Sequence, residues 1–193
     1  MGYEGHALLI SDPGEKAAAV AAAVRKLTEA RELLEAHGIA CPIVSCGGTG
    51  SLAYTAEQPG VTEIQAGGLI FMDAFYRHAC HVADFEFALF IASTVVSRPA
   101  PARAIIDAGR KPMNQELHLP LVVDRPGVEV DYLSAEHGVL EIAANAAPLA
   151  IGDRLAIIPG YGDFTTVLHD YLLGVRKGRV EAIYAIEARG ALT

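Results

Sequence analysis

Two glycine turns hold the residues whose types and spacing could do chemistry. Gly47-Gly48-Thr49-Gly50 follows the β-branched run Ile43-Val44-Ser45, and Gly67-Gly68 follows Val61-Thr62-Glu63-Ile64. A strand that passes through glycine into a helix start aims several backbone N–H groups at one point. Glycine tolerates positive φ and close approach, and a helix N-terminus carries partial positive charge. Two such turns on neighbouring strands could hold one phosphate between them; barrel enzymes often bind phosphate on the loops after their last two strands. Ordinary strand-to-helix turns, where glycine is common for steric reasons alone, would read the same way.

Other constellations carry less. Arg77-His78-Ala79-Cys80-His81 has ligand-type side chains, but they are crowded and no second cluster is spaced to close a metal site, so a solvent-facing loop is expected. Neither a G-x-S-x-G nucleophile elbow nor a G-x-x-x-x-G-K-[ST] phosphate loop occurs. Among the carboxylates, only Asp163 and Asp170 stand in an informative setting, close to Tyr161 and His169.

The elements that must position these residues fall into two groups. Asp12-Pro13-Gly14-Glu15 predicts a helix start, with a capping side chain, proline at the first turn and an acid at the capping-box position. The helix should run to about His37, where Gly38 ends it, with Val20, Val24, Leu27 and Leu34 on its packed face and Lys16 and Lys26 on its exposed side. A second helix is expected over 69–76. This alternation of strand and helix is the pattern of parallel α/β structure. After residue 86 the pattern changes to short apolar runs split by proline and glycine: 87–96, 104–107, 128–132, 139–142, 155–158, 172–175 and 179–187. The last two, joined through Arg176-Lys177-Gly178, read as a hairpin. The predicted architecture is therefore α/β over 1–86, followed by a mostly antiparallel β domain over 87–193.

With 193 residues, 52% hydrophobic and 20% charged, the composition is that of a globular protein. A formal charge of −8 argues against nucleic acid or an anionic membrane as partner. Cys41, Cys46 and Cys80 form neither an even set nor a zinc-type spacing, and Met1–His6 lacks the basic start of a signal peptide. A cytoplasmic location is the expectation.

The wording of the motifs goes further. VSCGGTGS, GVTEIQAGG and FMDAFY, then STVVSRP at 93–99, IIDAGRK at 105–111, SAEHGVL at 134–140 and IPGYGDFTTVLHD at 158–170, resemble the D-threonine aldolase and D-serine dehydratase-like family. The likeness runs through essentially the whole chain. It implies a partial (β/α) barrel of the alanine racemase type at 1–86 and a D-serine dehydratase-like β domain at 87–193. The implied cofactor is pyridoxal phosphate (PLP), the implied substrate a small D-amino acid and the implied assembly a homodimer.

For the phosphate, the resemblance points to Thr49, Gly67 and Gly68; the glycine-turn pattern picks the same segment, including Gly48. Tyr3 and His6 are candidates beside the cofactor ring, with a packing tyrosine and a turn histidine as the alternatives. Family members carry the Schiff-base lysine in an RPHxKT-like segment near the barrel start, and no such segment occurs here. The resemblance thus implies the C-terminal half of a PLP-dependent D-amino-acid lyase, inactive alone and without a catalytic residue of its own. The family also binds Zn²⁺ or Mn²⁺ through a His-x-Cys or His-x-Asp pair after a proline. Here Tyr161 replaces that histidine in Pro159-Gly160-Tyr161-Gly162-Asp163, leaving Asp163, His169, Asp170 and His137 as metal candidates, with a metal-free site in which Tyr161 hydrogen-bonds as the alternative. A non-catalytic binding module derived from the same fold is the alternative, and a PLP-free metal enzyme is a more distant one. Dehydration, aldol cleavage and racemisation are all open as the reaction.

Overall fold

The computed structural model describes residues 1–191, and the chain divides into two compact units, Met1–Glu86 and Phe87–Thr193. In the first, helix α1 spans Pro13–Ala36. The Asp12 side chain accepts from the Glu15 amide at 2.8 Å, and Gly38 at φ +78° follows the last turn. Cap, proline and stop signal all act where the sequence places them. Val20 and Val24 are buried with Ala7 and Cys46, and Leu27 packs against them.

Two expectations for this helix are corrected. Leu34 is exposed, as is Leu33. A 24-residue helix is about 36 Å long, while the strands of this unit are two residues each, so only the first half of the helix has a surface to cover. Lys16, expected on the exposed side, is 2% exposed.

Strands β1 (Ser45–Cys46) and β2 (Glu63–Ile64) pair in parallel, Ser45 opposite Glu63 and Cys46 opposite Ile64. They are the only strands of this unit among the described residues, and a single parallel pair does not by itself make a barrel. Helix α2, Leu52–Thr55, follows the first glycine turn. The second expected helix is replaced by a 3-10 turn at Gly67–Ile70 and a π turn at Phe75–Ala79. Met72 at φ +50° breaks the run, and Asp73 Oδ1 accepts from the Tyr76 amide at 2.8 Å, restarting the helix as an N-cap does.

The second unit is built on a six-stranded, wholly antiparallel sheet. Its strands are β3 (Ile91–Ala100), β4 (Arg103–Ile106), β5 (Leu121–Val122), β6 (Val128–Leu133), β7 (Gly138–Ile142) and β8 (Arg154–Ile158). The order is β5-β8-β3-β4-β7-β6, and β5 also lies against β6, so the sheet curls almost closed around Val95, Ile106, Met113, Leu140 and Ile157. In β6 the alternation Val128-in, Glu129-out, Val130-in is shifted by a bulge before Tyr132, which turns Tyr132 outward and Leu133 inward. β5 and helix α3 (Gly162–Thr166) escape a sequence reading because two and five residues are too short to show a period. Strands β9 (Tyr171–Arg176) and β10 (Arg179–Ala185) form the expected hairpin, with Lys177 and Gly178 both at positive φ in its two-residue turn. No helix among the described residues is long and apolar enough to cross a membrane.

Candidate functional site

The parallel pairing of β1 and β2 releases both glycine turns on the same edge, as parallel neighbours must. In the first turn Gly47 sits at φ +77°, where a side chain would also press on Thr55 and Ile64. Its amide donates to Glu4 Oε2 at 3.3 Å. Glu4 is buried, and it accepts a 2.6 Å bond from the Ser51 hydroxyl and another from the Thr55 hydroxyl. The Gly48 amide donates to Ser51 Oγ at 3.2 Å, so it is held inside the turn and is not aimed at a ligand. Gly48 serves by its lack of a side chain: a Cβ there would stand 3.0 Å from the ring of Tyr3.

Thr49 is 3% exposed, and its hydroxyl oxygen has no hydrogen-bond partner. A Cβ on Gly68 would fall 3.1 Å from that oxygen, while one on Gly67 would meet nothing within 4 Å. The structure therefore brings Thr49, Gly48, Gly67 and Gly68 together. It leaves a buried, unsatisfied hydroxyl facing backbone kept bare by glycine. Buried polar groups are normally paired, and an orphan of this kind calls for a missing partner. A phosphate oxygen fits that need, so the residues present suit the phosphate end of PLP.

Gly68 is not among the residues at positive φ, and a side chain there would also reach 2.5 Å from the Tyr76 ring. Substituting Gly68 would thus disturb packing as well as the cup. Tyr3 lies largely exposed over the first turn, and His6 is exposed on the 3-10 turn Gly5–Ala7. Sequence reasoning passed over Glu4, Ser51 and Thr55. The only signal for them was polar side chains at the ends of short helical turns, which more often means capping.

The chain matches the family model described as "Putative serine dehydratase domain" over residues 88–175. It is 39% identical over 178 residues to the D-threonine aldolase of an Arthrobacter species, covering 91% of this chain and 47% of that protein. To the 3-hydroxy-D-aspartate aldolase of Paracoccus denitrificans (strain Pd 1222) it is 36% identical over 196 residues, covering 97% of this chain and 50% of the relative. The crystal structure of D-threonine aldolase from Filomicrobium marinum superposes on it with a TM-score of 0.92 at 33% identity, over 100% of this chain and 53% of the other. The chain belongs to the D-threonine aldolase and D-serine dehydratase-like family. It spans about half the length of the curated relatives it matches.

Two of the family-like motifs, at 105–111 and 134–140, form a clasp in the second unit. Arg110 and Lys111 donate their amides to the carbonyls of Ser134 and Ala135 at 2.8 and 3.2 Å, and Lys111 pairs with Glu136. Gly109 permits this: a Cβ there would lie 2.5 Å from the His137 amide nitrogen and from the Ser134 oxygen.

The metal candidates do not converge. The Tyr161 hydroxyl donates to Asp163 Oδ2 at 2.7 Å, His169 Nε2 lies 2.7 Å from the Pro112 carbonyl, and His137 sits exposed in the turn that begins at Ser134. Among the described residues no group of three His, Cys, Asp or Glu could hold a metal ion. The residues present do not fit the divalent site the family resemblance implied, because a phenol that donates its proton to the carboxylate competes with any cation for it. Titration with Zn²⁺ or Mn²⁺ should show at most weak binding, and Tyr161→His should tighten it, since imidazole is a far better ligand. Tight binding by the parent chain with no gain in the variant would contradict this.

The His78–His81 cluster is not a free loop either. Cys80 is buried and ends the π turn, and burial pushes its thiol up to about 11. At neutral pH it is a protonated, inert side chain.

Proposed function

We propose that this chain carries the phosphate-binding part and the β domain of a PLP-dependent D-amino-acid lyase of the D-threonine aldolase and D-serine dehydratase type. Residues 1–86 belong to an alanine racemase-type barrel and residues 87–193 to a D-serine dehydratase-like domain. The observation that carries the reading is the buried, unpartnered Thr49 hydroxyl opposite Gly68. Family membership supports it, as do the D-threonine and 3-hydroxy-D-aspartate aldolases among the relatives.

Thr49 would donate its hydroxyl to a phosphate oxygen, and Gly67 and Gly68 would let the phosphate approach the backbone. Glu4 would hold the first turn in shape through Gly47, Ser51 and Thr55. Tyr3 and His6 would stand nearest the pyridine ring. Bound PLP supplies an electron sink for the substrate's Cα, and a small D-amino acid is the substrate class. The chain's four lysines stand elsewhere in this reading. Lys16 is bonded to two carbonyls, Lys111 pairs with Glu136, Lys26 is exposed and Lys177 is in a hairpin turn. None is assigned the Schiff-base role, and the site is assigned phosphate recognition without covalent attachment.

Calorimetry with pyridoxamine 5′-phosphate and with pyridoxamine tests this without imine formation at surface lysines. The Thr49 hydrogen bond to the charged phosphate should favour the phosphorylated ligand by about 10- to 100-fold. Equal affinity for the two ligands would overturn the reading.

A further inference from the structure

Lys16 is the most deeply buried cation described here, and the cup does not use it directly. Its Nζ donates to the carbonyl of Leu8 at 2.9 Å and of Cys80 at 2.8 Å, and it stands 5.6 Å from the centroid of the Tyr54 ring. From α1, Lys16 thus reaches three other stretches: the end of the Gly5–Ala7 turn, the end of the π turn, and α2. Among the described residues its partners are carbonyls and an aromatic face, with no carboxylate to neutralise the charge. Burial pulls the lysine's pKa below its ordinary value. A buried ammonium is costly to keep, and an apolar side chain would fill the same space at lower cost.

What the clasp holds is the wall behind Gly50. A Cβ on Gly50 would stand 2.9 Å from Leu8 Cδ2 and 3.2 Å from Cys80 Sγ, so the side chains of both clasped residues press on the glycine next to Thr49. Leu8 and Cys80 lie 72 residues apart in sequence, and Lys16 is the side chain that bonds to both backbones. Fixing them fixes the depth at which Gly50 sits, and with it the direction of the Thr49 hydroxyl. Tyr54, whose ring faces the ammonium, lies on the helix that follows the same turn.

We propose that Lys16 is the positioning residue of the phosphate cup, clamping Leu8 and Cys80 against Gly50 so that the Thr49 hydroxyl is presented to the phosphate. The proposal rests on the cup reading above and adds a residue that reaches the ligand only through others.

The test is calorimetry on the full chain and on Lys16→Met, with pyridoxamine 5′-phosphate and pyridoxamine as probes. The parent comes first: a parent that does not prefer the phosphorylated ligand brings down the cup reading, and this inference with it. With the preference present in the parent, Lys16→Met should lower affinity for the phosphorylated ligand by about tenfold or more and leave pyridoxamine within about twofold. A folded variant that keeps the parent's preference overturns the proposal, and so does one that loses both ligands equally, since a merely structural lysine would affect both. If Lys16→Met does not fold, Leu8→Ala takes its place. It removes the contact with Gly50 while keeping the carbonyl that Lys16 binds, and the same selective loss is expected; an unchanged preference or an equal loss overturns the proposal.

Discussion

Thr49→Val should make the ligand-free protein more stable and the phosphate site much weaker. The Thr49 hydroxyl is buried without a partner, and an unsatisfied buried polar group costs about 1–3 kcal/mol. Valine has nearly the same shape and removes that cost. A gain of about 1 kcal/mol corresponds to about 2–4 °C in melting temperature for a chain of this size. The hydroxyl's bond to a charged phosphate is worth about 1.5–3 kcal/mol, so affinity for pyridoxamine 5′-phosphate should fall about 10- to 100-fold. Opposite signs in the two measurements are the signature of a group kept for a ligand. A variant that melts lower and binds as tightly as the parent would show that the hydroxyl is merely a packing accident.

Glu4→Ala should damage the same turn from the other side. The Glu4 carboxylate accepts from the Gly47 amide and from the Ser51 and Thr55 hydroxyls in a buried setting. Truncation leaves three donors without their acceptor and opens a cavity, a combination that costs about 3 kcal/mol or more. Amide exchange across residues 47–55 should then quicken by about a hundredfold. Glu4→Gln keeps the shape and one acceptor oxygen and should cost less. Exchange rates in Glu4→Ala within about twofold of the parent would mean that Glu4 does not hold the turn.

Much of this protein was legible in its sequence because the deciding signals were local. Asp12-Pro13-Gly14-Glu15 and Gly38 bound α1, since caps act through side chains and backbone only a few residues apart. Lys177-Gly178 sets the β9–β10 turn for the same reason. The glycine turns declared themselves as neighbours because β-branched runs preceded both, and parallel pairing then had to place them on one edge.

What the tertiary structure decided depends on residues far apart in the chain. Lys16 reads as an exposed helix cation until Cys80 and Leu8 come round to receive its ammonium. Glu4 reads as a polar residue between Tyr3 and His6 until Ser51 and Thr55 close over it. Asp163, His169 and His137 look like a ligand set on paper, yet Tyr161 takes the carboxylate and the Pro112 carbonyl takes the imidazole. A buried charge is stabilised only by the partners that folding brings within hydrogen-bond reach, and neither spacing nor periodicity along the chain records which partners those will be.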